Sequence, residues 1–311
     1  MKKVLIPGGA GYIGSVLVGR LLNEGHQVTV VDNLYYQQKG LFGYASNPNF
    51  DFVFGDARDE GLMKAQIGKH DVIINLAAVV GMTACKRDPE YTTTLNFGAA
   101  KLIADLASKD QIVIYPCTNS GYGTQTGDLY CDENTPLEPI SLYGVTKADG
   151  EKVLLDSGKA MSFRLATVFG TSPRMRVDLL VNDFTYKAVT QGFIVLYEKH
   201  FKRNYVSIQD VASAMIFAMN NFDKMRGETY NLGLNEANLT KEELALQIKK
   251  HVPNFYIHEA EVGTDPDKRN YIVSNDKLKA AGFEAQVSID EGIRQLITLY
   301  KMFGRSEYGN V

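Results

Sequence analysis

Over its first 165 residues the chain alternates short β-branched, apolar runs with stretches of helical periodicity. Lys3–Ile6, Val28–Val31, Phe50–Phe54, Asp71–Asn75, Gln111–Tyr115 and Met161–Leu165 read as strands. Between them lie predicted helices. Tyr12–Asn23 has apolar Ile13, Val16, Leu17 and Leu21 at helical spacing, and Tyr91–Ala107 and Leu142–Leu155 follow. Strands that are apolar throughout, each followed by a helix, predict a parallel sheet covered on both faces. Right-handed crossovers then give a doubly wound, Rossmann-like α/β fold.

From about residue 166 the pattern loosens. Arg-bearing, loop-like stretches (Gly170–Val177, Lys199–Asn204, Gly263–Tyr271) alternate with helices such as Thr240–Lys250 and Ser288–Met302. The expected organisation is a cofactor domain over 1–165 and a smaller C-terminal substrate lobe over 166–311. Segments near 206–232 return to the first domain.

Length and composition narrow the class without naming a chemistry. A chain of 311 residues suggests one large or two moderate domains, and 45% hydrophobic with 22% charged residues is ordinary for a globular protein. Its 33 Lys+Arg against 36 Asp+Glu provide no basic field for nucleic acid and no polybasic membrane patch. The apolar run Val72–Met82 is interrupted and far shorter than the ~20 residues of a membrane span. Cys85, Cys117 and Cys131 predict neither a disulfide framework nor a metal site, and Cys117 reads as a buried strand cysteine. A cytoplasmic, metal-free protein is the expectation.

Directly after the first strand stands Gly8-Gly9-Ala10-Gly11-Tyr12-Ile13-Gly14. Gly8 suits a tight turn, Gly11 a close backbone approach to a diphosphate, and Gly14 close packing of the helix, whose N-terminal N–H groups face the anion. The second strand ends in Asp32, 18 residues beyond Gly14. A carboxylate there accepts hydrogen bonds from an adenosine ribose and repels a 2′-phosphate. Asn33 and its neighbours bring no arginine, so NAD is favoured over NADP. Asp56 and Ala57 after the third strand, and Leu76-Ala77-Ala78 after the fourth, fall where the rest of a dinucleotide would lie.

Tyr143-Gly144-Val145-Thr146-Lys147 puts a tyrosine and a lysine one helical turn apart on one face. With 17 tyrosines such a pair also arises by chance, as at Tyr35…Lys39. Position separates the two, because Tyr143 opens an amphipathic helix beyond the fifth strand. A lysine ammonium or a cationic nicotinamide beside the phenol lowers its pKa and makes it a usable base. Thr118, at the end of the fifth strand, could hydrogen-bond a substrate oxygen.

The glycine loop, Asp32, Asp56, Asn96, Thr118, Tyr143/Lys147 and Tyr230-Asn231-Leu232-Gly233, in this order, resemble the extended short-chain dehydrogenase/reductases, in the branch of the NAD-dependent nucleotide-sugar epimerases and dehydratases. The resemblance implies a Thr118–Tyr143–Lys147 triad acting on a sugar hydroxyl, usually at C4, with Lys147 also holding the nicotinamide ribose. It implies Asn96 at the cofactor, a homodimer through Tyr91–Ala107 and Leu142–Leu155, and a nucleotide-diphosphate sugar as substrate. Arg203 and Arg269 resemble the family's diphosphate-binding arginines. The dehydratases follow the threonine with an Asp-Glu or a Ser-Glu pair; here Asn119 and Ser120 occupy those positions. Thr167 stands where family members commonly carry asparagine, and Pro7 replaces a common threonine. Ser172–Tyr186, with Phe163–Gly170 before it and Asn204–Asp210 after it, is similar to the GDP-manno-heptose 4-dehydrogenase branch. This implies a substrate-binding role for Arg174, Arg176 and Asn182 and oxidation at C4, with 4-epimerisation of a UDP- or GDP-sugar on recycled NAD as the alternative.

Overall fold

The protein is described here by a computed structural model covering residues 1–123, 130–260 and 270–302. Seven strands form the main sheet: β1 (Lys3–Pro7), β2 (Gln27–Asp32), β3 (Phe50–Phe54), β4 (Val72–Ile74), β5 (Ile112–Thr118), β7 (Ala160–Leu165) and β11 (Thr229–Leu232). Their spatial order is β3-β2-β1-β4-β5-β7-β11, with every pairing parallel. The order therefore reverses direction between β1 and β4, which opens a crevice at the carboxyl edge. Smaller sheets join β8 (Thr167–Phe169), β10 (Lys202–Ser207) and β12 (Asn238–Thr240), then β9 (Phe193–Leu196) with β13 (Tyr256–Glu259), and β6 (Tyr130–Cys131) with β14 (Ile272–Val273).

The helices are α1 (Tyr12–Asn23), α2 (Glu60–Ile67), α3 (Met82–Arg87), α4 (Pro89–Thr93), α5 (Ala99–Leu106), α6 (Leu142–Asp156), α7 (Leu180–Thr190), α8 (Ile208–Asn220), α9 (Phe222–Met225), α10 (Lys241–His251), α11 (Asp276–Ala280) and α12 (Ile289–Tyr300). None is long and apolar enough to cross a membrane, among the described residues.

Strand alternation explains why both faces of the sheet are apolar. Val4, Ile6, Val28, Val30 and Ile114 point to the α1 and α8 side. Leu5, Val31, Ile73, Val113 and Tyr115 point to the α2, α5 and α6 side. Burying a side chain of this size contributes roughly 1.5–3 kcal/mol, which is why β1, β4 and the first part of β5 are apolar on both faces. The Arg20 guanidinium of α1 reaches Ser213 and Gln209 of α8, tying the first helix to a segment some 190 residues later.

Helix ends follow the sequence closely. Ser141 caps α6, Ser288 caps α12, and Thr240 with Glu243 forms a reciprocal capping box on α10. Two expectations change. The helix read over Tyr91–Ala107 is α4 followed by a π-helical turn at Thr94–Gly98 and then α5. The stretch Lys199–Asn204 is not all loop, since Lys202–Ser207 pairs in register with β8 and β12.

Candidate active site

The carboxyl ends of β1, β2, β4, β5 and β7 meet along one elongated cleft. At its floor Gly8 has φ +76°, a left-handed conformation, and a Cβ there would lie 2.4 Å from the Ala77 nitrogen. Gly14 is equally constrained, because its Cβ would meet the Gly9 carbonyl at 2.3 Å. The close approach at Gly14 is thus between helix and loop, while Gly8 is the residue that touches the chain leaving β4. Gly11 is the N-cap of α1 and supplies no side chain, and the first turn of α1 holds no acid. This leaves N–H groups and the positive end of the helix facing the cleft, which fits a diphosphate.

Asp32 closes the floor. Its carboxylate accepts from the Ala10 N–H at 3.0 Å, the Leu34 N–H at 2.8 Å and the Gln38 amide at 3.3 Å. Burial raises its pKa against these hydrogen bonds. Tyr12, Ile13, Asn33, Asp56, Ala57, Leu76, Ala77 and Ala78 all line the same cleft. Asp56 is held by Arg58 at 2.8 Å, and the Arg58 guanidinium lies 4.4 Å from the ring centroid of Tyr91. Tyr91 in turn accepts from the Asn33 amide and stacks on Tyr35, with centroids 5.5 Å apart. No sequence signal pointed to Tyr35, Arg58 or Tyr91; they meet only because β2, β3 and α4 end side by side.

At the other end of the cleft stand Thr118, Ser120, Tyr143, Lys147 and Thr167. Strand β5 delivers Thr118, and Ser141 caps α6 so that Tyr143 falls in its first turn, with Lys147 one turn on. Burial pushes the Tyr143 phenol up to about 12, while the Arg176 charge and a hydrogen bond with Thr118 pull it down. Burial lowers Lys147 to about 8, and its ammonium lies 3.9 Å from the centroid of the Tyr115 ring. Arg176 is thus a cation that lowers the Tyr143 phenol, one that the Y-x-x-x-K spacing gave no sign of. The carboxylates lining the cleft, among the described residues, are Asp32 and Asp56, both at the far end from Thr118.

Several expected contact residues sit elsewhere. Asn96 lies in the π-helical turn behind the wall, bonding the Val79 N–H at 2.8 Å, the Val79 carbonyl at 3.0 Å and Thr146. It shapes the cleft through the chain at Val79, and does not face the cleft itself. Asn119 is fully buried beside Thr118 and is absent from the cleft lining, because the short helical turn Asn119–Tyr122 folds it inward. Asn182 is a brace and not a ligand contact: it binds the Gly170 N–H, the Tyr12 hydroxyl and the Arg176 carbonyl. Arg203 is buried in β10, its guanidinium 5.9 Å from the centroid of Tyr271, a residue that does line the cleft. Arg174 and Arg176 line the cleft on the side of the glycine loop. Arg269 lies outside the described residues. Cys117 is buried, its thiol against the Lys147 carbonyl.

A model of the NAD dependent epimerase/dehydratase family matches residues 4–233, and the chain belongs to that family. The low-salt glycan biosynthesis protein Agl12 of Haloferax volcanii is 28% identical over 96% of this chain and 98% of its own. The UDP-N-acetyl-alpha-D-glucosaminuronate decarboxylase of Bacillus cytotoxicus is 27% identical over 96% and 98%. Among solved structures, the UDP-glucose 4-epimerase of Thermotoga maritima with UDP-glucose superposes with a TM-score of 0.80 at 25% identity, covering 96% of this chain and 98% of that one. The protein is an NAD-dependent enzyme of the extended short-chain dehydrogenase/reductase type.

Proposed function

Within the NAD dependent epimerase/dehydratase family, we propose that this protein oxidises the C4 hydroxyl of a nucleotide-diphosphate sugar, as a GDP-manno-heptose 4-dehydrogenase of surface-polysaccharide synthesis. The observation that carries oxidation without dehydration is the lining at the Thr118 end. Tyr143 is the proton acceptor available there, and Asn119 and Ser120 supply no carboxylate to expel water. Ser120 is engaged by the Thr118 hydroxyl at 3.0 Å. The heptose reading is supported by the Ser172–Tyr186 resemblance.

NAD, when bound, accepts hydride from the carbon being oxidised. Gly8, Gly11, Tyr12, Ile13 and Gly14 would hold its diphosphate, Asp32 its adenosine ribose, and Lys147 its nicotinamide ribose. Tyr143 Oη takes the proton of the substrate hydroxyl, and the Thr118 hydroxyl holds the same oxygen in line. Arg176 favours the Tyr143 phenolate, offsetting burial. Arg203 and Arg269 belong, in this reading, to the binding of the sugar nucleotide in the 166–311 lobe. Two copies would pair through α4–α5 and α6, which light scattering checks.

The similarity to the Thermotoga maritima epimerase favours a second reading, 4-epimerisation with NAD retained. Incubation with GDP-manno-heptose, UDP-glucose and related sugars, followed by product analysis, separates the two. A 4-keto sugar with accumulating NADH supports oxidation; a C4 stereoisomer without NADH supports epimerisation. Turnover undiminished in Tyr143→Phe would overturn both.

A further inference from the structure

We infer that Arg174 and Arg176 clamp the diphosphate of the cofactor, facing the glycine loop across the cleft, and are not part of the sugar-nucleotide site that the sequence resemblance implied for them.

The segment that carries them is fastened to the glycine loop itself. Ser172 Oγ donates to the Tyr12 carbonyl at 2.8 Å, and Tyr12 Oη donates to the Gly170 carbonyl at 2.6 Å. Asn182 then ties the Arg176 carbonyl at 2.8 Å and the Tyr12 hydroxyl at 3.1 Å to one amide. Tyr12 is the residue that follows the N-cap of α1, so these bonds place the arginine segment over the diphosphate cradle.

The two guanidinium groups span the length of the dinucleotide position. Arg174 is within electrostatic range of Asp32, at the ribose end, and its guanidinium is 5.4 Å from the centroid of Tyr36. Its Cβ would be 2.9 Å from a Cβ placed on Gly40, so the loop after β2 packs on it as well. Arg176 is within range of Tyr12 and Tyr143, at the catalytic end, and pairs with Asp178 at 2.5 Å. Between these ends lie the first-turn N–H groups of α1, at Tyr12 and Ile13. Arg176 pairs with Asp178 and Arg174 donates to the Met175 carbonyl at 2.6 Å, and both side chains face a helix N-terminus whose first turn holds no acid. That field is positive from both sides, and a dianionic diphosphate lying between them completes it. Arg203, by contrast, is on β10 behind Tyr271.

The inference rests on NAD as cofactor and on no particular sugar, so its failure leaves the C4 reading standing. The test uses the purified enzyme and its Arg174→Gln, Arg176→Gln and corresponding Lys variants. Bound NAD is measured by acid extraction, NAD dissociation by rapid dilution, and UDP and GDP binding by calorimetry. Losing one charge-assisted contact should weaken NAD about ten- to a hundredfold in the Gln variants, with partial recovery in the Lys variants. UDP and GDP affinities should stay within about twofold of the parent. Unchanged NAD binding, with or without weakened UDP or GDP, overturns the assignment; so does an equal loss of both ligands. If a Gln variant fails to fold, the Lys variants decide, since their charge stays and only the forked geometry is lost.

Discussion

Tyr12 and Asn182, 170 residues apart, share a 3.1 Å hydrogen bond that locks the glycine loop to the start of α7. The Tyr12 hydroxyl also donates to Gly170, so one buried phenol satisfies partners from two distant segments. Burial holds its pKa well above the usual tyrosine value, against the pull of the Asn182 hydrogen bond. Tyr12→Phe should lower stability by about 1–3 kcal/mol, the cost of leaving the Gly170 carbonyl without its donor. Urea unfolding at neutral pH measures it, and the same variant should hold NAD less tightly because the loop loses its anchor.

Tyr143→Phe should cut turnover by at least about 10²–10⁴-fold, the usual weight of a positioned base, while leaving NAD bound. Thr118→Val should cost less, about ten- to a hundredfold, because it removes one hydrogen bond to substrate and the base remains. Steady-state kinetics alongside extraction of bound cofactor distinguish a chemical defect from a binding defect.

Lys147 makes the fold pH-dependent in a direction of its own. Its folded pKa of about 8 lies below the ordinary 10.5, so the unfolded chain binds more protons between those values. The cost of burying the ammonium is full below pH 8 and fades as pH rises through the window. The gain from this residue is about 1 kcal/mol by pH 9 and on the order of 3 kcal/mol in full. Lys147→Met should therefore unfold at higher urea at pH 7 and show a flatter rise toward pH 9. A parent and variant with equal slopes would refute it.

Glu151 and Arg164 form a buried pair at 2.7 Å, with Glu151 also accepting from Ser162 at 2.7 Å. It joins α6, which carries Tyr143, to β7. Glu151→Gln should cost about 3–5 kcal/mol, because a buried guanidinium loses its counter-charge. The exposed Lys152–Asp156 pair on the same helix is the internal control. Asp156→Asn should change stability by no more than about 0.5 kcal/mol. Chemical denaturation of both variants makes the comparison.

Much of the site was readable because its residues sit at fixed offsets from strand ends. Gly8, Asp32 and Thr118 each stand at the end of a recognisable apolar run, which delivers them to one sheet edge, and Tyr143 opens a helix whose cap, Ser141, is legible beside it. The misplaced residues share a different property. Asn96, Asn119 and Asn182 are amides whose type suits a ligand as well as a backbone brace, and spacing does not tell which way an amide points. The π-helical turn at Asn96 illustrates the cause: three contacts with Val79 and Thr146 fix it, and all three come from other segments.

By itself the sequence determined the parallel α/β architecture, the cofactor class and the tyrosine–lysine pair, since each depends on local periodicity or on residues a few positions apart. Only the tertiary structure decided which charges act on the Tyr143 phenol and where the arginines of the 170s go. Electrostatic coupling falls off with distance through space and not along the chain. Arg176, 33 residues from Tyr143, influences it through the cleft. Lys147, one turn away, spends its ammonium on the ring of Tyr115.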